Sequence, residues 1–159
     1  MNIFKKENFI LKKECDSLID FHKNNFNLNN KFSKKHYETE VLLIYDMQKT
    51  SLFKKINNLL KSFIKTHNKN YKINYFELVK WFTGSDQKEH VDLDYHPYTS
   101  IIYLNNNYVG GETVIDKKVI KPEKGKLISF EGNKIFHKVN KITKGTRYTL
   151  PCWYTYESN

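Results

Sequence analysis

The chain has 159 residues, 39% of them hydrophobic and 15% aromatic, and carries a formal net charge of +10. That is too apolar for a disordered chain and long enough for one domain, residues 1–159, with a proper core. No run of about 20 apolar residues is present to cross a bilayer, and the N-terminal MNIFKKENFILKKE has no apolar stretch long enough for a secretory signal.

The charge is lysine: 26 Lys against a single Arg, beside 18 Asn and no Ala, the bias of an AT-rich genome. The lysines run from Lys5 to Lys144 in clusters no longer than two. They read as a solvated surface rather than a nucleic-acid patch. Cys15 and Cys152 form neither a disulfide framework nor a zinc motif, so a reducing, cytoplasmic compartment is the default.

In chain order, Leu11 to Lys23 places Leu11, Cys15, Leu18, Ile19 and Phe21 at helical spacing, with one buried stripe. Asn24 to Lys35 is rich in Asn and Lys and predicts a loop. Tyr37 to Met47 contains VLLIYDM, a strand pattern. Thr50 or Ser51 can cap a second helix reaching about Thr66, with Leu52, Phe53, Ile56, Leu59, Leu60 and Phe63 inward. These stripes are ordinary core faces, and residues 1–70 read as helical support plus a first strand.

From Tyr71 the period changes to two. Strands are predicted at Ile73 to Phe82, Tyr98 to Leu104, Thr113 to Asp116, Lys118 to Lys121, Lys126 to Phe130, Lys134 to Val139 and Thr146 to Tyr156. Many short strands between closely spaced turns indicate a sandwich or barrel over 71–159. The fold class is mainly β with N-terminal helices.

Chemistry concentrates between His90 and Arg147. His90 and Asp92 are i and i+2, so an extended backbone sends both side chains to one face. A second His from a distant strand can complete a set of two imidazoles and a carboxylate. That set leaves one side of a metal open, as in non-haem Fe(II) oxygenases, although catalytic zinc takes the same donors. A rival pair, His36 and Glu38, has similar spacing. Asp94 is two residues too far along and reads as a solvent or supporting acid; His96 reads as a loop histidine. Arg147 is the chain's only guanidinium, a planar fork matched to a carboxylate.

The order of these residues, together with YLN (Tyr103 to Asn105), GGET (Gly110 to Thr113), Pro122 to Gly125 and LISF (Leu127 to Phe130), resembles the 2-oxoglutarate- and Fe(II)-dependent oxygenases. The prolyl 4-hydroxylase-like branch is the nearest pattern, matched over roughly Lys72 to Tyr154. The resemblance implies a double-stranded β-helix, a jelly-roll or cupin-like core. It implies Fe(II) held by His90, Asp92 and His137, and 2-oxoglutarate held by Arg147 with help from the Tyr103 hydroxyl. Trp153 falls six residues after Arg147, as is common in the family, and is expected to form an apolar wall. Trp81 stands where prolyl hydroxylases commonly have Tyr; its indole can donate but not accept, which puts the usual contact there in doubt.

The implied reaction consumes O₂ and 2-oxoglutarate, gives succinate and CO₂, and hydroxylates a substrate, with ascorbate as a candidate reductant. The favoured substrate is a protein or peptide side chain, with proline the first candidate; a small molecule stays open. Nucleic acid is weaker, because the alkylation-repair branch pairs two arginines after the second His and this chain has one Arg in all. A non-enzymatic jelly-roll binding protein is the remaining alternative. A carboxylate at Asp92 argues against halogenation. Arg147 is expected to face inward on the strand following His137, with Lys138 to Thr146 as a hairpin turn between them.

Overall fold

The computed structural model describes residues 2–28, 33–36, 39–44 and 50–157. Strand β1 (Phe4–Lys6) and helix α1 (Lys12–Asn25) open the chain, followed by β2 (Ser33–His36), β3 (Thr39–Leu43) and helix α2 (Ser51–His67). The rest is strand and turn: β4 (Tyr71–Trp81), β5 (Gln87–His90), β6 (Tyr98–Tyr103), β7 (Val109–Gly110), β8 (Thr113–Ile115) and β9 (Lys118–Ile120). Then come β10 (Leu127–Phe130), β11 (His137–Val139), β12 (Ile142–Lys144) and β13 (Arg147–Tyr156).

The strands form a seven-stranded sheet, β1-β10-β6-β13-β4-β3-β2, a four-stranded sheet, β5-β11-β8-β9, and a two-stranded ribbon, β12-β7, all antiparallel. This is the mainly β architecture with N-terminal helices that the sequence predicts.

Strand alternation divides the large sheet into two faces. On β13, Tyr148, Leu150, Cys152 and Tyr154 join a core with Phe76 and Leu78 of β4, Leu42 of β3, and the apolar faces of both helices. Their alternates, Arg147, Thr149, Pro151 and Trp153, line a cavity on the other side with Tyr75, Glu77, Val79 and Trp81 of β4. A second core of Tyr103, Ile115, Ile120, Ile128 and Phe130 lies between the large and small sheets. The helices therefore brace the back of the large sheet and leave its front for the cavity.

Helix α2 is capped as predicted, the Thr50 hydroxyl accepting from Phe53 N–H at 3.3 Å. Its buried residues are Phe53, Ile56, Leu60, Phe63 and Ile64. The two helices are tied by an ion pair between Lys55 and the buried Glu14. No helix among the described residues is long and apolar enough to cross a membrane.

The sequence misplaces some elements. The segment read as a loop from Asn24 continues α1 to Asn25 and then makes a 3-10 turn, Phe26–Leu28. Phe26 is buried and stacks on His22, ring centroids 5.4 Å apart, so an apolar contact outweighs the polar composition. Ser33–His36 is a strand because its backbone pairs with β3 in a hairpin. Of the strand pattern Tyr37 to Met47, Thr39–Leu43 is strand; residues 37–38 and 45–49, and with them Glu38 of the rival pair, lie outside the described residues. Lys138 to Thr146 is not a hairpin turn beside His137. It carries β12, which pairs with β7, and delivers Arg147 to the opposite sheet.

Candidate active site

His90 and His137 are direct cross-strand partners at the β5–β11 junction, ring centroids 4.3 Å apart. Strand β5 ends at His90, so Asp92 is placed by its own contact: its N–H donates to the Gly132 carbonyl at 2.9 Å. That anchor turns the carboxylate between the imidazoles. Oδ1 lies 3.6 Å from His137 Nε2 and 4.0 Å from His90 Nε2, and one ligand atom from each residue lies within 4.8 Å of the others.

Each histidine is held as one tautomer. Nδ1 of His90 faces the Lys88 carbonyl at 2.7 Å and Nδ1 of His137 the Ile135 carbonyl at 2.9 Å. A carbonyl only accepts, so Nδ1 carries a hydrogen, and the neutral form of each ring offers its Nε2 lone pair to a metal. The Gln87 amide lies 3.3 Å from His90 Nε2, consistent with that nitrogen accepting. The second carboxylate oxygen of Asp92 accepts from the Thr99 hydroxyl. Burial alone pushes the Asp92 carboxyl up, but the His137 and Thr99 side chains and the nearby His90 more than offset it, holding the group below the usual carboxylate range. Two imidazole Nε2 atoms and one carboxylate, converging on a cavity, are a donor set that fits a divalent ion.

The cavity, about 840 Å³, runs from this triad to Arg147. Arg147 is the largest fully buried side chain among the described residues, 1% exposed. One arm donates to Thr113 Oγ1 at 3.1 Å, while Nε and Nη1 are buried with no partner among the described residues. Trp81 covers the guanidinium at 4.9 Å and Tyr103 flanks it at 5.8 Å. A desolvated cation with free donors is costly unless an anion meets it.

Strand β8 links Arg147 to the triad. Thr113 pairs with Val139, and Ile115 with His137, so the Arg147 contact and the His137 position are two strand residues apart. That is about 6.6 Å of strand rise, comparable to an extended five-carbon diacid.

The other predicted residues sort by contact. The Tyr103 hydroxyl donates to Thr113 Oγ1 at 2.7 Å, in the Arg147 corner; burial pushes its pKa up to about 12. Trp81 lines the cavity, but its N–H is occupied, donating to Thr149 Oγ1 at 3.2 Å. Trp153 lines the far end against Tyr75, centroids 4.9 Å apart. Asp94 is exposed, away from the ligand positions. His96 lies in the loop before β6, as the sequence suggests, but it is 2% exposed, accepts from the Asn74 amide at 2.9 Å and packs near Trp153.

Three residues escape sequence reasoning. Thr99 supports Asp92, and Thr113 links Tyr103 to Arg147. Gly132 leaves room for both, since a Cβ there would stand 2.2 Å from Asp92 Oδ2 and 2.3 Å from Thr99 Oγ1. Threonine in a strand is ordinary, so only the contacts reveal the first two.

The model of the 2OG-Fe(II) oxygenase superfamily matches residues 74–155. Human prolyl 3-hydroxylase 2 is 36% identical over 76 residues, and the rat protein of that name 34%. Each match covers 43% of this chain and 11% of the relative, so the chain spans about a tenth of the length of these curated relatives. Among solved structures, the viral collagen prolyl hydroxylase from Paramecium Bursaria Chlorella virus-1, in its 2OG complex, superposes with a TM-score of 0.80 at 19% identity, covering 99% of this chain and 97% of that one. A Pseudomonas putida prolyl-4-hydroxylase gives 0.80 at 14% identity, covering 98% and 93%. The Trichoplax adhaerens prolyl hydroxylase bound to a hypoxia inducible factor oxygen degradation domain peptide gives 0.77 at 18%, covering 96% and 83%. These likenesses establish a shared fold, the double-stranded β-helix.

Proposed function

The chain belongs to the 2OG-Fe(II) oxygenase superfamily, and from that premise we propose that it is a 2-oxoglutarate-dependent dioxygenase that hydroxylates a protein or peptide side chain, with proline the first candidate. The observation that carries the reading is the pairing of two features in one cavity: the His90–Asp92–His137 cluster and a buried Arg147 with two nitrogens unpartnered among the described residues. A free guanidinium beside the metal donors favours a diacid cosubstrate over zinc hydrolysis or plain binding.

His90 Nε2, His137 Nε2 and Asp92 Oδ1 would hold Fe(II), with O₂ and 2-oxoglutarate as cosubstrates. When bound, the iron couples decarboxylation of 2-oxoglutarate to succinate and CO₂ with insertion of one oxygen atom into the substrate. The chain's own part is orientation. The Lys88 and Ile135 carbonyls hold the two imidazoles as Nδ1–H tautomers, and Thr99 holds the carboxylate. Arg147 and Thr113 would grip the distal carboxylate, while Trp81 and Tyr103 keep water from the guanidinium. Trp153 and Tyr75 would form the apolar wall for the substrate side chain.

The preference for a peptidyl proline is supported by the prolyl hydroxylases among the relatives. Ascorbate is proposed as reductant. A single domain, with residues 1–70 supporting the core of 71–159, and a reducing cytoplasmic setting complete the proposal; the free, buried Cys15 and Cys152 support the latter. The test is mass spectrometry of proline-containing peptides incubated with protein, Fe(II), 2-oxoglutarate and O₂. A gain of one oxygen atom on proline, absent without 2-oxoglutarate, supports the reading. Oxygen gain on another side chain, or on a small molecule only, redirects it.

A further inference from the structure

The Arg147 corner holds more donors than acceptors. Thr113 Oγ1 already accepts from Tyr103 and from Arg147, so both its lone pairs are engaged and its own hydrogen needs a further acceptor. Arg147 Nε and Nη1 are buried without partners among the described residues, and so is the hydroxyl of Tyr108. A guanidinium has no acceptor to offer that hydroxyl. Native structures rarely leave buried polar groups unmet, and several in one place point to a ligand.

Tyr108 belongs to neither the YLN nor the GGET motif, yet the backbone holds it beside Arg147. A Cβ on Gly111 would lie 3.2 Å from Tyr108 Cε2 and 3.3 Å from Arg147 Cδ, so ring edge and arginine stem flank one glycine. Gly145 backs the stem of Tyr108, where a Cβ would press on Tyr108 Cα and Cβ at 3.3 Å. Both glycines have left-handed φ, +68° and +84°, so neither position readily takes a side chain that would separate them. Burial pushes the Tyr108 pKa up and Arg147 only partly opposes it, which keeps the phenol protonated and able to donate.

We propose that Tyr108 is a further binding residue for the cosubstrate, donating its hydroxyl hydrogen to the distal carboxylate beside the Arg147 fork and the Thr113 hydroxyl. Arg147 Nε and Nη1, Tyr108 and Thr113 then supply four donors, matching the roughly four lone-pair sites of a carboxylate. This rests on the 2-oxoglutarate reading of the corner.

The test uses calorimetric titration of Mn(II)-loaded protein with 2-oxoglutarate and with 2-oxopentanoate, which keeps the chain length but lacks the distal carboxylate. Tyr108→Phe retains the ring beside Gly111. It should weaken 2-oxoglutarate about tenfold, the scale of one hydrogen bond to a charged group. It should leave 2-oxopentanoate unchanged and should not lower the melting temperature of the ligand-free protein, since it removes an unpartnered hydroxyl. Arg147→Ala is the control and should lose most of the preference for 2-oxoglutarate. If Arg147→Ala loses it while Tyr108→Phe leaves both affinities unchanged, or weakens both equally, the assignment of Tyr108 is overturned and the cosubstrate reading stands. If the wild-type protein shows no preference for 2-oxoglutarate, the cosubstrate reading fails and this assignment fails with it.

Discussion

Gly132→Ala should damage the metal site while sparing the fold. The added Cβ would lie 2.2 Å from Asp92 Oδ2, 2.3 Å from Thr99 Oγ1 and 3.1 Å from Asp92 Cγ, where ordinary contact begins at 3.4 Å. The shortfall exceeds 1 Å, and the backbone cannot slide away freely because the Gly132 carbonyl accepts from Asp92 N–H. The carboxylate must therefore move or rotate, breaking its bond from Thr99. A hydrogen bond to a charged acceptor contributes about 1.5–3 kcal/mol, and losing such support typically lowers metal affinity about 10–100-fold. The overpacking itself should cost about 1–3 kcal/mol of stability. Anaerobic titration with Fe(II), beside circular dichroism, reads both effects. Thr99→Ala should weaken the metal by less, and the double variant should fall short of the sum of the singles, because both changes act through one carboxylate. Wild-type Fe(II) affinity in Gly132→Ala would refute the placement of Asp92 as a ligand.

Further outcomes follow from the same contacts. His90→Ala and His137→Ala should each abolish iron binding while far-ultraviolet circular dichroism is retained. Arg147→Lys keeps the charge but loses the fork, so 2-oxoglutarate binding should weaken by about 1–2 kcal/mol, one charge-assisted hydrogen bond; succinate formation against 2-oxoglutarate concentration measures this, and Arg147→Ala should lose more. Stability should fall on acidification below the ordinary imidazole value of 6.5. Burial disfavours the charged form of His22 and lowers its pKa, although its hydrogen bond to the Glu40 carbonyl opposes this. The unfolded chain then takes up a proton that the folded chain refuses, so stability is complete above that pH and lost below it. His96, lowered by burial too, adds to the slope with the same sign. His22→Gln should flatten the dependence of melting temperature on pH.

The sequence carries the triad and the fold unevenly. Both helices are legible because their apolar residues recur at 3.6 and bury one side; the long strands β4 and β13 are legible from their apolar and aromatic runs. Arg147 stands out because the chain uses lysine everywhere else. Strands β7 and β12 have two and three residues, too short for any period to show, and β12 is what carries the chain across to the opposite sheet. The inward direction of Arg147 follows from the family resemblance, which puts a carboxylate-binding cation on the cavity side whichever sheet carries it. Thr99, Thr113, Tyr108 and Gly132 could not be found from spacing. The partners of Thr99 and Thr113 lie seven or more residues away in sequence, Gly132 faces Asp92 and Thr99 across more than thirty, and Tyr108 meets Arg147 from a different strand connection. His96 was hidden for the same reason: its partner, Asn74, lies 22 residues upstream.

The central claim is that the His90–Asp92–His137 cluster and Arg147 serve one reaction. Its most direct measurement is the stoichiometry of succinate to hydroxylated peptide for the wild-type protein, with Fe(II), O₂ and 2-oxoglutarate supplied, repeated with His137→Ala and Arg147→Ala. One succinate for each hydroxyl, with both products lost in His137→Ala and both restored toward normal in Arg147→Ala only at raised 2-oxoglutarate, is the predicted result. Iron-independent turnover by the wild-type protein, or no succinate from it under any of these conditions, would contradict the account.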